Sequence, residues 1–532
     1  MTHTQRRRTR LRPTGIAALA LAAWLSGCGS APGIAISTDV STIDIVRGTS
    51  AELSLTLTRT GEAAADVQLT TVGLPDHVDA SLSNETLTGP TLQSTLTLTV
   101  DAQAAEGSYD VKVLAVGSGL SSEAEVELTV SSLEVTGTVF RSPGRPWSGI
   151  AIDGPGGSTA TAADGTFTLH GLAVPYDLTV YNDVGSGSVH VFEGLTSAAP
   201  ELHPIEPSFA ALVADNANLA GTLSGSSMPL AVNHEARVCL EGVNDSVFNA
   251  CQMLGAGEDS YDLSIFWVGP GALSARLHIL AYELNGAGDA PSAYVGYASA
   301  DVELSDGDVT PLNVVLSDVP ATTTLTGEVV VVGGGSPDRV YAGVRFGPNL
   351  TMPLFGDGSG AETFAMPMPV LPGGSFDVVA VSGSPERLAW KAGSGAEAGT
   401  LLIPAAVTLV APDDAVGGVD TTTPFEVDSP EPAVITYVWD GGIGAPWYAL
   451  TTNGTTVRVP DVSALASALP ANAPYDWWAL RTPENVVDDA ARIDYDHALD
   501  ALYMMGTMLG GRGLFAEGAF ASSSQRTFTT AP

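Results

Sequence analysis

Apolar and polar residues alternate one by one through long stretches of this chain, and no other sequence feature limits its fold more. Leu53, Leu55 and Leu57 are separated by single serine or threonine residues, and the same alternation recurs at 96–100 and 124–130. Successive side chains of a strand point to opposite faces of a sheet, so a period of two predicts strands with one buried face. The predicted fold class is therefore all-β: tandem antiparallel β-sandwich modules, with one helical insertion near the C-terminus.

The first module is predicted over residues 34–131. Its segment 107–113 reads Gly-Ser-Tyr-Asp-Val-Lys-Val. This resembles the penultimate strand of bacterial immunoglobulin-like domains, which follows the pattern Gly-x-Tyr-x-apolar-x-apolar. The resemblance implies that Tyr109 returns its hydroxyl group to the backbone at a corner of the sheet.

Residues 133–203 form the second predicted module. The opening strand 135–139, the turn dipeptide Asp164-Gly165 and the strand 176–180 together resemble the carboxypeptidase regulatory-like (transthyretin-like) domain. That family implies a seven-stranded sandwich without catalytic residues. Trp147 departs from the family pattern, which has a small or aliphatic residue there.

Two further openings of the same kind occur at 219–223 and 325–329. Each is followed by alternating segments. The sequence therefore predicts two more divergent β-sandwiches, over residues 204–320 and 321–410.

The last predicted module covers residues 411–532 and resembles a fibronectin type III or related immunoglobulin-like domain. In that family a Tyr-x-Trp-x-apolar strand fills the core, and Tyr475, Trp477 and Ala479 match it. A helical insertion is predicted over 488–509, where apolar residues have helical spacing. These are Ala490, Ile493, Ala498, Leu499, Leu502 and Met505.

The N-terminal residues have the layout of an export signal. A basic start precedes the apolar run 16–25, which is too short to span a bilayer, and residues 25–28 read Leu-Ser-Gly-Cys. This resembles the lipobox of bacterial lipoproteins. The resemblance implies that residues 1–27 are a lipoprotein signal peptide, that Cys28 is lipidated and that 28–33 form a tether. The alternative is an ordinary signal peptide in which Cys28 is incidental.

Lipidation would make the membrane a partner of this chain through its N-terminal lipid. By resemblance to enteric lipoproteins, Gly29 after the cysteine favours the outer membrane. The expected location is therefore exported and lipid-anchored to the bacterial envelope. The formal net charge of −38 and the presence of only two lysines, Lys112 and Lys391, argue against nucleic acid as a partner.

Cys239 and Cys251 flank a turn between two predicted strands. If these strands pair, the two sulfur atoms could form a disulfide, as an oxidising compartment permits. Two buried free thiols and a zinc site are the alternatives, although further cysteine or histidine residues at ligand spacing are lacking.

Trp477 and Trp478 are neighbours on a predicted strand, so their side chains must point to opposite faces. If Trp477 fills the core, Trp478 lies on the outer face, where a tryptophan can stack on a sugar ring or anchor a protein. Trp447 is a second candidate binding residue. The alternative is that the inserted helix packs over these rings.

Acidic clusters at 306–308, 413–414 and 494–496 suggest calcium, but none has the spacing of an EF-hand loop. Solvated turns explain most of them, and calcium bound between modules is the alternative. No cofactor or resident metal is expected. The sequence also lacks a Gly-x-Ser-x-Gly elbow, a His-Glu-x-x-His motif and a phosphate-binding loop. It therefore predicts no catalytic residues and no enzyme, with an undetected hydrolase as the alternative.

The sequence leads to a functional hypothesis of an acidic, non-catalytic envelope lipoprotein. Its β-sandwich modules would be a scaffold that presents a distal interaction domain, 411–532, for adhesion or binding to a polysaccharide or an envelope protein. The alternative is a carbohydrate-binding or accessory subunit of a secreted hydrolase.

Overall fold

The computed structural model shows a chain of β-strands with one short helix among the residues that it describes. These residues are 32–61, 66–89, 92–142, 145–182, 187–205, 215–242, 246–248, 251–268, 271–286, 290–347, 350–383, 387–430, 432–442, 445–461, 469–493 and 517–532. They belong to two compact units. The first contains Ser50–Val130 and the preceding residues up to Ile45, and the second contains Val46–Thr49 and Ser131–Pro532. The predicted all-β fold class is confirmed.

The first unit is a sandwich of two antiparallel sheets around a core of leucine and valine side chains. The sheets have the orders β1-β3-β7-β5 and β2-β9-β8-β4-β6. The strands are β1 (Gly33–Thr38), β2 (Thr42–Val46), β3 (Ser50–Thr60), β4 (Asp66–Val72), β5 (Val78–Leu82), β6 (Thr86–Thr88), β7 (Gln93–Val100), β8 (Gly107–Gly117) and β9 (Leu120–Ser131).

Tyr109 lies near the start of β8. Its hydroxyl group donates a hydrogen bond to the backbone oxygen of Ala105 over 3.0 Å. The bond fixes the backbone just before β8, where the chain enters the sheet. The expected tyrosine corner is confirmed.

The second unit begins with eight strands in residues 131–203. They are β10 (Leu133–Ser142), β11 (Arg145–Pro146), β12 (Ala151–Gly154), β13 (Gly157–Ala160), β14 (Thr166–Leu172), β15 (Tyr176–Asn182), β16 (Ser188–Leu195) and β17 (Glu201–Leu202).

Nine strands follow in residues 204–320. They are β18 (Asp215–Gly225), β19 (His234–Gly242), β20 (Ser246–Phe248), β21 (Cys251–Leu254), β22 (Ser260–Val268), β23 (Leu273–Leu284), β24 (Pro291–Leu304), β25 (Val309–Pro311) and β26 (Val314–Leu316).

Residues 321–410 contain seven complete strands and the start of an eighth. They are β27 (Ala321–Val331), β28 (Arg339–Gly347), β29 (Leu350–Asp357), β30 (Thr363–Val370), β31 (Ser375–Ser382), β32 (Arg387–Ser394), β33 (Glu397–Ile403) and β34 (Thr408–Ala411).

These three segments share one strand arrangement. The opening strand of each lies between an antiparallel and a parallel neighbour: β14 and β17 flank β10, β22 and β25 flank β18, and β30 and β33 flank β27. The other sheet has four strands in equivalent order, β13-β12-β15-β16, β21-β19-β23-β24 and β29-β28-β31-β32. The three similar openings in the sequence therefore begin three sandwiches of one topology.

One glycine in each opening strand lies directly opposite an aromatic residue. The pairs are Gly137 with Phe167, Gly221 with Tyr261, and Gly327 with Phe364. A Cβ atom at position 137 would lie 2.5 Å from Phe167 Cζ. Glycine is needed there because the aromatic ring of the neighbouring strand lies across its backbone.

The final segment contributes eight further strands and the helix. These are β35 (Val416–Val419), β36 (Phe425–Asp428), β37 (Ile435–Asp440), β38 (Trp447–Thr452), β39 (Thr456–Val457), β40 (Pro474–Arg481), α1 (Val487–Ala490), β41 (Gly518–Ser522) and β42 (Arg526–Thr530). Its core is aromatic, and Phe425 packs edge-on against both Trp439 and Trp477. The predicted core strand that contains Tyr475, Trp477 and Ala479 is confirmed.

Strands of the final segment join the four-stranded sheets of two earlier sandwiches. Strand β38 pairs in parallel with β16, and β41 pairs with β32. One 14-stranded sheet therefore runs through segments 133–203, 321–410 and 411–532. This differs from a simple string of independent modules. The physical reason is that a sheet edge has unpaired backbone groups, and a strand from a distant part of the chain can satisfy them.

The predicted helical insertion at 488–509 lies mostly outside the described residues. Within them, α1 covers only Val487–Ala490, and the backbone then turns before Ile493. In the described part of the chain, we find no helix long and apolar enough to cross a bilayer.

Candidate functional site

The two neighbouring tryptophans of β40 point to opposite faces of the long sheet. Trp477 is fully buried in the aromatic core of the final segment. Trp478 is half-buried on the other face, in the same apolar cluster as Leu480. The strand period of two thus places one ring in the core and leaves the other partly accessible.

Trp447 and Trp478 lie on the same face of the sheet and contact each other. Their ring centroids are 5.9 Å apart and the ring planes are nearly perpendicular. Both side chains are half-buried. The structure therefore brings the two sequence-predicted binding residues into one aromatic patch.

Two carboxylates lie beside this patch. Asp440 at the end of β37 is directly opposite Asp476 on β40, and it accepts a hydrogen bond from the backbone N–H of Gly442 over 2.6 Å. Burial raises the pKa of Asp440, and the nearby charge of Asp476 raises it further. Trp447, Trp478, Asp440 and Asp476 are called the tryptophan site below.

Sequence reasoning did not identify Asp440 and Asp476 as parts of a site. A signal was present, because Asp476 is two residues before Trp478 and must share its face. The position of Asp440 depends on the pairing of β37 with β40, which local sequence does not specify.

The apolar cluster beneath the tryptophan site extends over several strands of the sheet. Its buried members include Trp390, Val438 and Phe520, and Ile205 and Ile493 pack into the same cluster. The remainder of the predicted insertion, 494–509, lies outside the described residues. Whether it packs over the tryptophan rings stays a prediction.

His278 has the hydrogen-bonding geometry of a catalytic histidine, but its nitrogen atoms are enclosed. Nε2 lies 3.2 Å from Glu241 Oε2, and Nδ1 lies 3.0 Å from the hydroxyl group of Tyr297. The ring of Phe346 stacks on the imidazole with centroids 3.7 Å apart. Both nitrogens are occupied and the ring is 3% exposed, so this group holds two sandwiches together and leaves no room for a substrate.

His190 is buried where β16 meets β38. The N–H of Ile205 donates to His190 Nδ1 over 3.1 Å, so Nε2 carries the proton and donates to Thr451 Oγ1 over 2.8 Å. Thr451 in turn lies 2.8 Å from Thr436 Oγ1. Burial lowers the pKa of His190 to about 3, so the ring is neutral at physiological pH.

Cys239 and Cys251 form a disulfide with a sulfur–sulfur distance of 2.00 Å. They are direct partners in the antiparallel pairing of β19 with β21. The bridge links two neighbouring strands of one sheet. The two cysteines are therefore neither free thiols nor ligands of a zinc site.

Two of the acidic residues considered for calcium accept backbone hydrogen bonds from within the protein. Asp306 accepts the backbone N–H of Asn216 over 2.9 Å, and Asp414 accepts that of Thr527 over 2.8 Å. Hydrogen bonds from Thr527 lower the pKa of Asp414. No group of three or more potential metal ligands occurs among the described residues, and 494–496 lie outside them.

Cys28 and the whole predicted signal peptide also lie outside the described residues. Lipidation of Cys28 therefore stays a prediction from the sequence.

No protein-family model matches this chain, and no curated protein matches it. Solved structures with similarity include the Bacillus anthracis TIE protein, with 12% identity, 71% of this chain and 75% of that chain covered, and a TM-score of 0.22. Domains 4 and 5 of the S-layer protein SbsC align with 20% identity over 19% of this chain and 53% of that chain, with a TM-score of 0.15. Domains 4–9 of SbsC align with 9% identity over 84% of this chain and 63% of that chain, with a TM-score of 0.14. TM-scores this low do not establish a shared overall fold.

Proposed function

We propose that this protein is a non-catalytic lipoprotein of the bacterial cell envelope, exported, anchored through lipidated Cys28 and sorted to the outer membrane. Its β-sandwich scaffold presents the final segment, 411–532, as an interaction domain. The observation that carries the interaction role is the tryptophan site, where two half-buried rings lie on a continuous hydrogen-bonded sheet.

The scaffold role is supported by the way in which the final segment is held. Its strands β38 and β41 continue the sheets of two sandwiches, and backbone hydrogen bonds connect each junction. The interaction domain in this proposal is thus part of the scaffold sheet and does not depend on a single linker. We further propose that segment 133–203 is a carboxypeptidase regulatory-like module and that 204–320 and 321–410 are divergent sandwiches, which share its strand topology.

The anchoring part of the proposal is tested by expressing the full chain in a bacterial host fed with a radioactive fatty acid. The protein should carry the label and sediment with membranes, since several acyl chains anchor a protein effectively permanently. Cys28→Ala should lose both properties. A wild-type protein that is secreted without label would contradict lipid anchoring.

A second candidate function is carbohydrate binding, either alone or as an accessory subunit of a secreted hydrolase. It is favoured by the two carboxylates beside the tryptophan pair, because Asp440 and Asp476 offer acceptors for sugar hydroxyls next to apolar rings that can stack on a sugar.

The two functions are separated by binding assays on the detergent-solubilised full chain with insoluble polysaccharides, including peptidoglycan. Carbohydrate binding predicts retention that Trp478→Ala weakens about tenfold or more, as expected for an aromatic anchor. Phe266→Ala is the matched control, because Phe266 is an exposed aromatic residue elsewhere on the unit. Equal retention of the two variants would rule out a role of Trp478 in sugar binding and favour a protein partner.

A further inference from the structure

The last strand of the four-stranded sheet accepts an additional strand in two of the three sandwiches. Strand β16 pairs with β38 over Ser188–Phe192, and β32 pairs with β41 over Arg387–Trp390. One added strand is parallel and the other antiparallel. This edge of the sandwich therefore tolerates either direction of the incoming chain.

Strand β24 occupies the same position in the remaining sandwich, 204–320. Most of its outer edge has no neighbouring strand among the described residues. Its edge partner there is Asp318, which forms an isolated bridge with Tyr297. The N–H of Tyr297 donates to the backbone oxygen of Asp318 over 2.6 Å, so this N–H points away from β23.

The direction of the Tyr297 N–H fixes the direction of the backbone groups that follow. In an antiparallel pair, every second residue turns its N–H and C=O to the side opposite the partner strand. The register of β24 with β23 is regular from Tyr297 to Leu304. The backbone groups of Ser299, Asp301 and Glu303 must therefore point to the open side, and these three residues are exposed.

We propose that the edge of β24 at residues 298–304 binds an extended, basic segment of a partner protein as an added strand. Main-chain hydrogen bonds would supply the affinity, as in other cases of strand addition to a sheet edge. The open stretch 298–304 is longer than the stretches of β16 and β32 that pair with an added strand. It therefore accommodates a peptide of about seven residues.

The charges around this edge select a basic partner. Asp301 and Glu303 are on its exposed face, and Asp306 and Asp308 follow in the next turn. Arg276 pairs with Asp301 over 2.6 Å, so the four carboxylates still leave an acidic edge. A second copy of this chain is a poor occupant, because each copy has a formal charge of −38.

The test uses the full chain in detergent and a labelled peptide, acetyl-Lys-Val-Lys-Val-Lys-Val-Lys-amide. Fluorescence anisotropy should show saturable binding, and hydrogen exchange should slow at the amides of Ser299, Asp301 and Glu303. A peptide with glutamate in place of lysine should bind about tenfold more weakly, because several cross-strand charge pairs change sign.

Asp301→Pro separates strand addition from simple charge attraction. Proline removes an N–H that points outward, so the pairing with β23 is preserved while the edge loses a donor. Asp301→Asn is the matched control, because it removes the charge but keeps the N–H. Binding should fall at least about tenfold in the proline variant and less in the asparagine variant.

A lysine peptide with N-methyl groups on all of its internal amides provides a test that needs no variant of the protein. It keeps the charge but has no internal N–H group to donate along either edge, so it should bind much more weakly than the unmodified peptide. Absence of binding by the unmodified peptide, or equal binding of the methylated and unmodified forms, would overturn the proposal.

Discussion

Gly137 lies directly opposite Phe167, and the phenyl ring crosses the space that a Cβ atom at position 137 would need. The same relationship recurs between Gly327 and Phe364 two sandwiches later. A ring that covers a glycine in this way is a structural device used at the same place in the opening strands of two sandwiches, whereas the backbone oxygen of Leu312 is the nearest atom to a Cβ at Gly221.

Gly327→Ala is therefore expected to destabilise the second unit by about 1–3 kcal/mol, because the new methyl group overlaps the ring of Phe364. Thermal or urea unfolding measures the loss. Gly417→Ala is the control, since a Cβ there would contact nothing within 4 Å. Equal stability of the two variants would contradict the proposed steric role of the ring.

The disulfide between Cys239 and Cys251 closes a sequence separation of 12 residues. Closing a loop of this length restricts the unfolded chain and is expected to contribute about 3 kcal/mol. Cys239→Ala combined with Cys251→Ala should lower the free energy of unfolding by that amount and lower the unfolding midpoint, and reducing agent should have no further effect on the double variant. A wild-type midpoint that does not respond to complete reduction would argue against the assignment.

His190 is expected to make folding sensitive to mild acid. Its pKa is about 3 in the folded chain and 6.5 in the unfolded chain, so the unfolded state binds more protons between these values. The contribution of neutral His190 to the free energy of unfolding is complete above pH 6.5. It decreases by up to about 4 kcal/mol as the pH falls toward 3.

His190→Asn should remove this dependence, because asparagine does not titrate, while its carboxamide oxygen can still accept the N–H of Ile205. The variant should be less stable at pH 7 but should lose less stability between pH 6.5 and 4. His170→Asn is the control for an exposed histidine. Identical pH profiles for wild type and His190→Asn would show that another group is responsible.

Asp440→Asn is expected to raise stability at pH 7. The pKa of Asp440 is raised in the folded chain, so the folded state holds a proton more strongly than the unfolded state, and wild-type stability falls as pH rises through the titration. Removing the charge opposite Asp476 should gain a few tenths of a kcal/mol. The gain should vanish near pH 3, and Asp262→Asn on an exposed strand position should show none.

Local sequence predicted the strands of this protein well, because alternation directly reports which side chains face a core. It placed Trp477 inside and Trp478 outside, and it placed Cys239 and Cys251 on the two sides of one turn. It could not predict that β16 pairs with β38. The hydrogen-bonded residues His190 and Thr451 are 261 positions apart, and an edge strand carries no local mark of its partner.

The tryptophan site shows the same limit. Trp447 and Trp478 were recognisable as candidates because tryptophan outside a core pattern is unusual. Asp440 joins them through the pairing of β37 with β40, and aspartate at a strand end reads equally well as a turn residue. The contacts between strands at this site could therefore be identified only from the structure.

The junction of β16 with β38 has a consequence for how the chain matures. Synthesis and export both proceed from the N-terminus, so residue 188 is available long before residue 447, and the first sandwich of the second unit has a bare edge until the final segment arrives. Such an edge is a template for association with other unfinished chains. Yield of the native protein should therefore depend on holding chaperones, even for variants whose finished fold is as stable as the original.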